Sequence, residues 1–185
     1  MVAQPSSKAI SHEEFEQFIA LPANRDRLFE LIQGAIVEKI PTREHGIIAL
    51  NIGADFDHYL DDHPIGKAAV EARHRPTDDW HNDFLPDVSI VLGDRPVETH
   101  GAANYLPDLC VEIKSPRDTL REMAEKATFY LAHGASMVWL VYPEQRIVEV
   151  LTADDRQLLT ENAVLTAGNL LPEFALPVSR IFRRL

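Results

Sequence analysis

The sequence predicts an α/β or α+β domain: a central mixed β-sheet flanked by helices, with a helix and a β-hairpin in front of it. Three observations predict it. Two capping-box patterns open helix-spaced apolar stretches, at Ser11/Glu14 and Thr119/Glu122. Several short apolar runs of strand length lie between the helical stretches. The order reads helix, hairpin, helix, strands, helix, hairpin, which suits a sheet covered by helices.

Each element has a local cause. Ser11 caps a helix over about 12–20, which Pro22 and Asn24 interrupt. Residues 29–32 and 35–40 form two strands around Gln33-Gly34, and Pro41 ends the hairpin. Thr42 is an N-cap for a helix over 43–61, whose apolar residues run from Ile47 to Leu60. Residues 68–73 read as a strand, 77–83 as a polar loop, and 86–92 and 109–115 as two further strands. Pro116 stops the last of these. Leu120, Met123, Ala124, Ala127 and Leu131 then share one helical face, and Gly134 supplies a C-terminal stop. Residues 137–142 and 147–151 form a hairpin around a 143–146 turn. The tail carries no firm assignment, and residues 1–10 read as frayed.

The chain has 185 residues and a formal charge of −11. A single domain over 1–185 is expected. Acidity opposes broad electrostatic coating of nucleic acid but leaves room for metal-assisted phosphate chemistry. One cysteine, Cys110, excludes an internal disulfide and any multi-cysteine metal site. No apolar run is long enough to span a bilayer, and the N-terminus has no leader-like order, so a reducing cytoplasm is the expected location. There is no phosphate-binding glycine loop, no H-E-x-x-H, and no complete calcium loop in Asp78–Asp83.

The chemistry sits in Pro86-Asp87 and in Glu112-Ile113-Lys114. Side chains alternate along a strand, so Cys110, Glu112 and Lys114 share one face while Leu109, Val111 and Ile113 share the other. Glu112 and Lys114 are then about 6.6 Å apart along the strand. If the strand after Asp87 pairs with theirs, two carboxylates can converge on one cation. Mg²⁺ accepts such a set, with water and phosphate completing its shell. A nearby ammonium can orient water or offset developing charge. A solvated strand face with an incidental Glu–Lys pair is the alternative. Asp108 also follows a proline, but it lies about 13 Å along the strand from Glu112, too far to share an ion.

Proline-aspartate, the 24 residues of 88–111, then E-x-K resembles the PD-(D/E)XK nuclease superfamily. The flanks narrow the resemblance. They are Leu106–Pro116, the helix Asp118–Tyr130, Gly134-Ala135 and Trp139–Pro143, with Glu30-Leu31-Ile32-Gln33-Gly34 and the Pro41/His45 step upstream. Over about 26–151 the chain resembles the Uma2 (DUF820) family of restriction-endonuclease-like proteins. The resemblance implies a restriction-endonuclease-like fold and hydrolysis of DNA phosphodiester bonds with Mg²⁺ or Mn²⁺. It implies metal ligation by Asp87 and Glu112, and catalytic roles for Lys114 and for the helix lysine Lys126. It also implies a homodimer, for which 137–151 and 170–181 are candidate contacts.

Other residues stay open between two readings. Lys126 either faces the site or pairs with Glu122 on the surface. Glu30 either joins the metal or makes a hairpin salt bridge. His45 touches phosphate or caps its helix. Tyr130 is an accessory group or core packing, and Arg73 and Arg75 are phosphate contacts or exposed strand arginines. The whole chain could instead be a non-catalytic nucleic-acid- or protein-binding module that keeps the fold.

Overall fold

The computed structural model describes residues 9–185. The frayed segment expected at the N-terminus therefore lies mostly outside the described residues. Contacts divide the chain into two compact units: residues up to Ile40 with Arg73–Leu85 and Val97–Tyr105, and Pro41–Ala72 with Pro86–Pro96 and Leu106–Leu185.

In the first unit, α1 (His12–Ile19) starts at the Ser11/Glu14 capping box. A hairpin of β1 (Leu28–Ile32) and β2 (Ala35–Lys39) follows. Its turn residues Gln33 and Gly34 both take positive φ, 50° and 76°, the pattern of a type I′ turn. Phe15, Phe29 and Leu31 form this unit's small core. Asp83 pairs with Leu31 through two backbone hydrogen bonds of 2.8 Å.

The second unit holds a six-stranded mixed sheet in the order β3-β4-β5-β6-β7-β8. The strands are β3 (Gly66–Val70), β4 (Val88–Leu92), β5 (Leu109–Ile113), β6 (Met137–Tyr142), β7 (Ile147–Leu151) and β8 (Arg156–Thr160). Only β5 and β6 run parallel, joined by α3 (Leu120–Ala132); the other neighbours are antiparallel. Thr42 caps α2 (Arg43–Asp62), and the Thr119/Glu122 capping box opens α3.

Alternation along the strands builds the layers. Ile48, Ile52, Phe56 and Leu60 of α2 share one core with Val88, Ile90, Leu109, Val111, Ile113, Trp139 and Val141. Cys110 and Glu112 take the opposite face, where α3 lies.

The unassigned tail forms β9 (Val164–Ala167) and β10 (Leu171–Pro177), an antiparallel pair, then α4 (Val178–Ile181). Leu171, Phe174, Leu176, Val178 and Ile181 join the α2-side core, as do Met137, Trp139 and Val141. These side chains, from the two segments named above as candidate dimer contacts, are buried within the chain. β3 starts two residues before the predicted 68–73 and stops at Val70, where Glu71 takes a positive φ of 48°; β4 starts after Asp87, later than the predicted 86–92, and β5 stops at Ile113, short of the predicted 109–115, where the Asp87 carboxylate takes the strand's N–H. Among the described residues, no helix is long and apolar enough to cross a membrane.

Candidate active site

β4 pairs with β5 through Val88↔Val111, Ser89↔Cys110 and Ile90↔Leu109. One step further, Asp87 would face Glu112. Regular pairing stops there. The Asp87 N–H donates to the Val111 carbonyl (3.1 Å), and the Asp87 carboxylate takes over as a ladder acceptor. Its Oδ2 accepts the Ile113 N–H at 2.6 Å. The same oxygen lies 3.0 Å from His45 Nε2. Asp87 is thus fixed at the end of β5, against the amide immediately after Glu112, and only 1% of its side chain is exposed.

Glu112 is also buried. Its Oε1 accepts the Tyr130 hydroxyl at 2.6 Å and lies 2.9 Å from Lys126 Nζ. Both partners project from α3, four residues apart and so on one face. Lys126 pairs with Glu112, while Glu122 is taken by the helix cap. Tyr130 packs in the core with its hydroxyl on the acid.

Cys110 lies two residues before Glu112 on the same face. Burial, and then the Glu112 charge, push its thiol well above the ordinary value. That suits an inert buried residue rather than a nucleophile.

Lys114 follows β5 directly. Its N–H continues the ladder to Val141 (2.9 Å), and its half-buried side chain carries Nζ to the Ser115 carbonyl at 3.2 Å. His45 departs from the expected cap. Its backbone N–H donates to Thr42 Oγ1 (3.2 Å), while its ring goes to Asp87. Asp108 accepts the Leu92 N–H (2.8 Å), so it closes a strand end away from Glu112.

The remaining candidates belong to the first unit. Glu30 accepts the Leu85 N–H at 2.8 Å. Arg73 and Arg75 are held by Asp83 and Glu16 at 2.5–3.1 Å. They act there as counterions to a fully buried aspartate. Burial alone would raise the Glu16 carboxyl, but the two guanidiniums hold it below its ordinary value.

One buried acid escaped sequence reading. Glu149 of β7 accepts from the Tyr142 hydroxyl (3.1 Å) and pairs with Arg156. It sits in one cross-sheet row with Leu140 and Glu112. A lone glutamate in the apolar run Ile147–Leu151 is the signal that could have revealed it.

The donor set can be tested against a divalent metal. Among the described residues, no three His, Cys, Asp or Glu side chains converge as a ready cage. That arrangement does not suit a site built only from protein ligands. It does suit Mg²⁺ or Mn²⁺, which need one or two carboxylates and take their other oxygens from water and phosphate. Asp87 and Glu112 carry hard oxygen donors at adjoining strand positions, and Lys126 opposes the charge of Glu112.

A family model, Uma2, described as "Putative restriction endonuclease", matches residues 15–179. The fold is similar to the crystal structure of a putative nuclease belonging to DUF820 from Anabaena variabilis. The TM-score is 0.79 at 23% identity, covering 94% of this chain and 97% of that one. No curated protein matches the chain.

Proposed function

Because the chain belongs to the Uma2 family, we propose that it is a metal-dependent endonuclease that hydrolyses DNA phosphodiester bonds at Asp87, Glu112 and Lys114. The observation that carries this reading is the Asp87 carboxylate bonded to the amide that follows Glu112. The bond brings the Asp87 carboxylate to the end of β5, at the residue after Glu112, with an ammonium-bearing residue next along the chain.

Asp87 and Glu112 would hold Mg²⁺ or Mn²⁺, which supplies Lewis acidity and a more acidic bound water. Tyr130 and Lys126 keep the Glu112 carboxylate in one orientation. Lys114 orients the attacking water and neutralises charge that develops on the phosphate. Water attacks phosphorus, the bond to the 3′ oxygen breaks, and the products carry a 5′-phosphate and a 3′-hydroxyl. The acidic surface makes local neutralisation at the site, rather than broad cationic contact, the main source of substrate affinity.

The test is incubation of plasmid and linear DNA with purified protein and Mn²⁺ or Mg²⁺. Cutting that needs the metal and is lost in Glu112→Gln and Lys114→Ala is the expected result. Cutting retained in both variants would refute the assignment. Absence of both cutting and Mn²⁺ binding heat would favour a non-catalytic binding module.

A further inference from the structure

We propose that the first unit carries a phosphate site: an arginine-lined pocket that takes the 5′-phosphate of a nucleotide, free or at the end of a DNA strand. The pocket measures about 360 Å³, at the small end of the range for small-ligand sites. Arg25, Arg27 and Arg73 line it, together with Glu16 and the apolar side chains of Ile19 and Leu28. All six belong to the first unit, and none is part of the proposed cleavage site. A single helical turn over Pro22–Asn24 follows α1 and places Arg25 and Arg27 directly before β1. Arg73 comes from the chain that follows β3.

The three guanidiniums differ in what they have left to donate. Arg73 gives two hydrogen bonds to the fully buried Asp83, at 3.1 and 2.6 Å, and two to Glu16, at 3.3 and 2.9 Å. A guanidinium has five N–H groups, so Arg73 keeps one. Arg27 donates to both Glu38 oxygens and to Asn24 Oδ1 at 2.6–3.0 Å, and keeps two. Arg25 is exposed and pairs with no acid among the described residues. Asp26, its neighbour in the chain, does not line the pocket. Glu16 shows that an oxyanion fits here: its carboxylate, on a side chain 37% exposed, is bound by both Arg73 and Arg75. It also competes with any ligand for Arg73. Planar guanidiniums match the paired oxygens of a phosphate. Ile19 and Leu28, and Arg27 lying over the Phe29 ring at 4.8 Å, offer apolar and planar surface to a sugar and base. The proposed cleavage leaves 5′-phosphate ends, so the choice of a nucleotide over other phosphate esters rests on that reading.

The experiment measures binding to the full chain in EDTA, so that metal at Asp87 and Glu112 plays no part. Calorimetry gives the affinity and ¹H–¹⁵N NMR the location. The probes are thymidine 5′-monophosphate, thymidine, inorganic phosphate, and an oligothymidylate with and without a 5′-phosphate. The expected result is that the monophosphate binds, thymidine does not, and the amide shifts fall in the first unit. Arg25→Gln should weaken binding at least about 10-fold, the equivalent of one charge-assisted hydrogen bond. Glu16→Gln removes the competing carboxylate and should tighten it. An oligonucleotide that needs its 5′-phosphate and binds more tightly than the monophosphate would identify a strand end as the ligand. Equal affinities would identify the free nucleotide.

No binding of either phosphorylated probe, an affinity unchanged by Arg25→Gln, or amide shifts confined to the second unit would overturn the proposal. Inorganic phosphate binding as tightly as the monophosphate would overturn the choice of a nucleotide. Metal-dependent DNA cutting without nucleotide binding would sink this site alone. Nucleotide binding without cutting would leave it standing and count against the nuclease reading. If Glu16→Gln fails to fold, the exposed Arg25 still decides.

Discussion

Replacing Lys126 by methionine should destabilise the second unit strongly, because it strands a buried glutamate. The ion pair is 2.9 Å long, with 12% and 5% of the two side chains exposed, so solvent and salt screen it little. Breaking a buried pair from one side typically costs about 3–5 kcal/mol. The Tyr130 hydroxyl stays on Glu112 and limits the loss, so a value near ~3 kcal/mol is expected. In a chain of this size that lowers Tm by roughly 6–12 °C, at about 2–4 °C per kcal/mol. The assay is urea unfolding followed by Trp139, which is fully buried in the second unit's core. Glu112→Gln in the Lys126→Met background should recover most of the loss, giving a coupling energy of about 1–3 kcal/mol in the double-mutant cycle. Saturating Mn²⁺ should also recover part of it, since a cation replaces the ammonium. A loss under about 1 kcal/mol, the range of exposed pairs, would refute the argument that this pair is desolvated.

Three further outcomes follow from local geometry. Cys110 should react with a thiol reagent at least ~10³-fold more slowly in the native chain than in the urea-unfolded one, because burial keeps it a protonated thiol out of reach; labelling followed by absorbance checks it. Burial, then the Glu149 charge, push Tyr142 up to about 12 from an ordinary 10.0. The folded chain then binds this proton more tightly than the unfolded chain, so the stability involved is full below pH 10 and declines as pH rises towards 12; phenolate absorbance should show tyrosine ionisation in the folded chain lagging that of the urea-unfolded chain, and Tyr142→Phe should remove part of the lag. Gly34→Ala should cost about 1–3 kcal/mol in the first unit, since its φ is +76° and a Cβ would stand 2.5 Å from that of Ala9; thermal unfolding measures it.

Elements whose start and stop are written locally were legible in the sequence. Both capping boxes, the Thr42 cap and the Gln33-Gly34 turn occur where their residues indicate. The hairpin of β6 and β7 follows from its apolar runs and turn. The alternation that separates Cys110 and Glu112 from Val111 and Ile113 follows from the strand period alone. The tail was not legible, because β9 and β10 pair with an irregular register and, with the one-turn α4, gain their stability from the core they join rather than from local propensity.

The site was legible only as a list of residue types. Asp87 and His45 are 42 positions apart, and nothing in either segment announces that the ring reaches the carboxylate. For Arg73 and Arg75 the sequence left phosphate contact and exposed strand arginine both open, because it shows a charge without its partner. Of the acids that hold them, Asp83 lies 10 residues beyond Arg73 and Glu16 lies on a helix 57 residues before it. Lys126 could be placed on the correct side of its helix by spacing, but the choice between Glu122 and Glu112 needed the capping box to claim one of them.

The most direct measurement is anomalous diffraction from a crystal of this protein soaked in Mn²⁺. The account predicts a single strong peak within bonding distance of both the Asp87 and the Glu112 carboxylate oxygens, weakened or lost in Glu112→Gln crystals. Manganese bound elsewhere, or a soaked crystal in which Lys126 and Tyr130 still hold Glu112 and no peak lies beside Asp87, would contradict it.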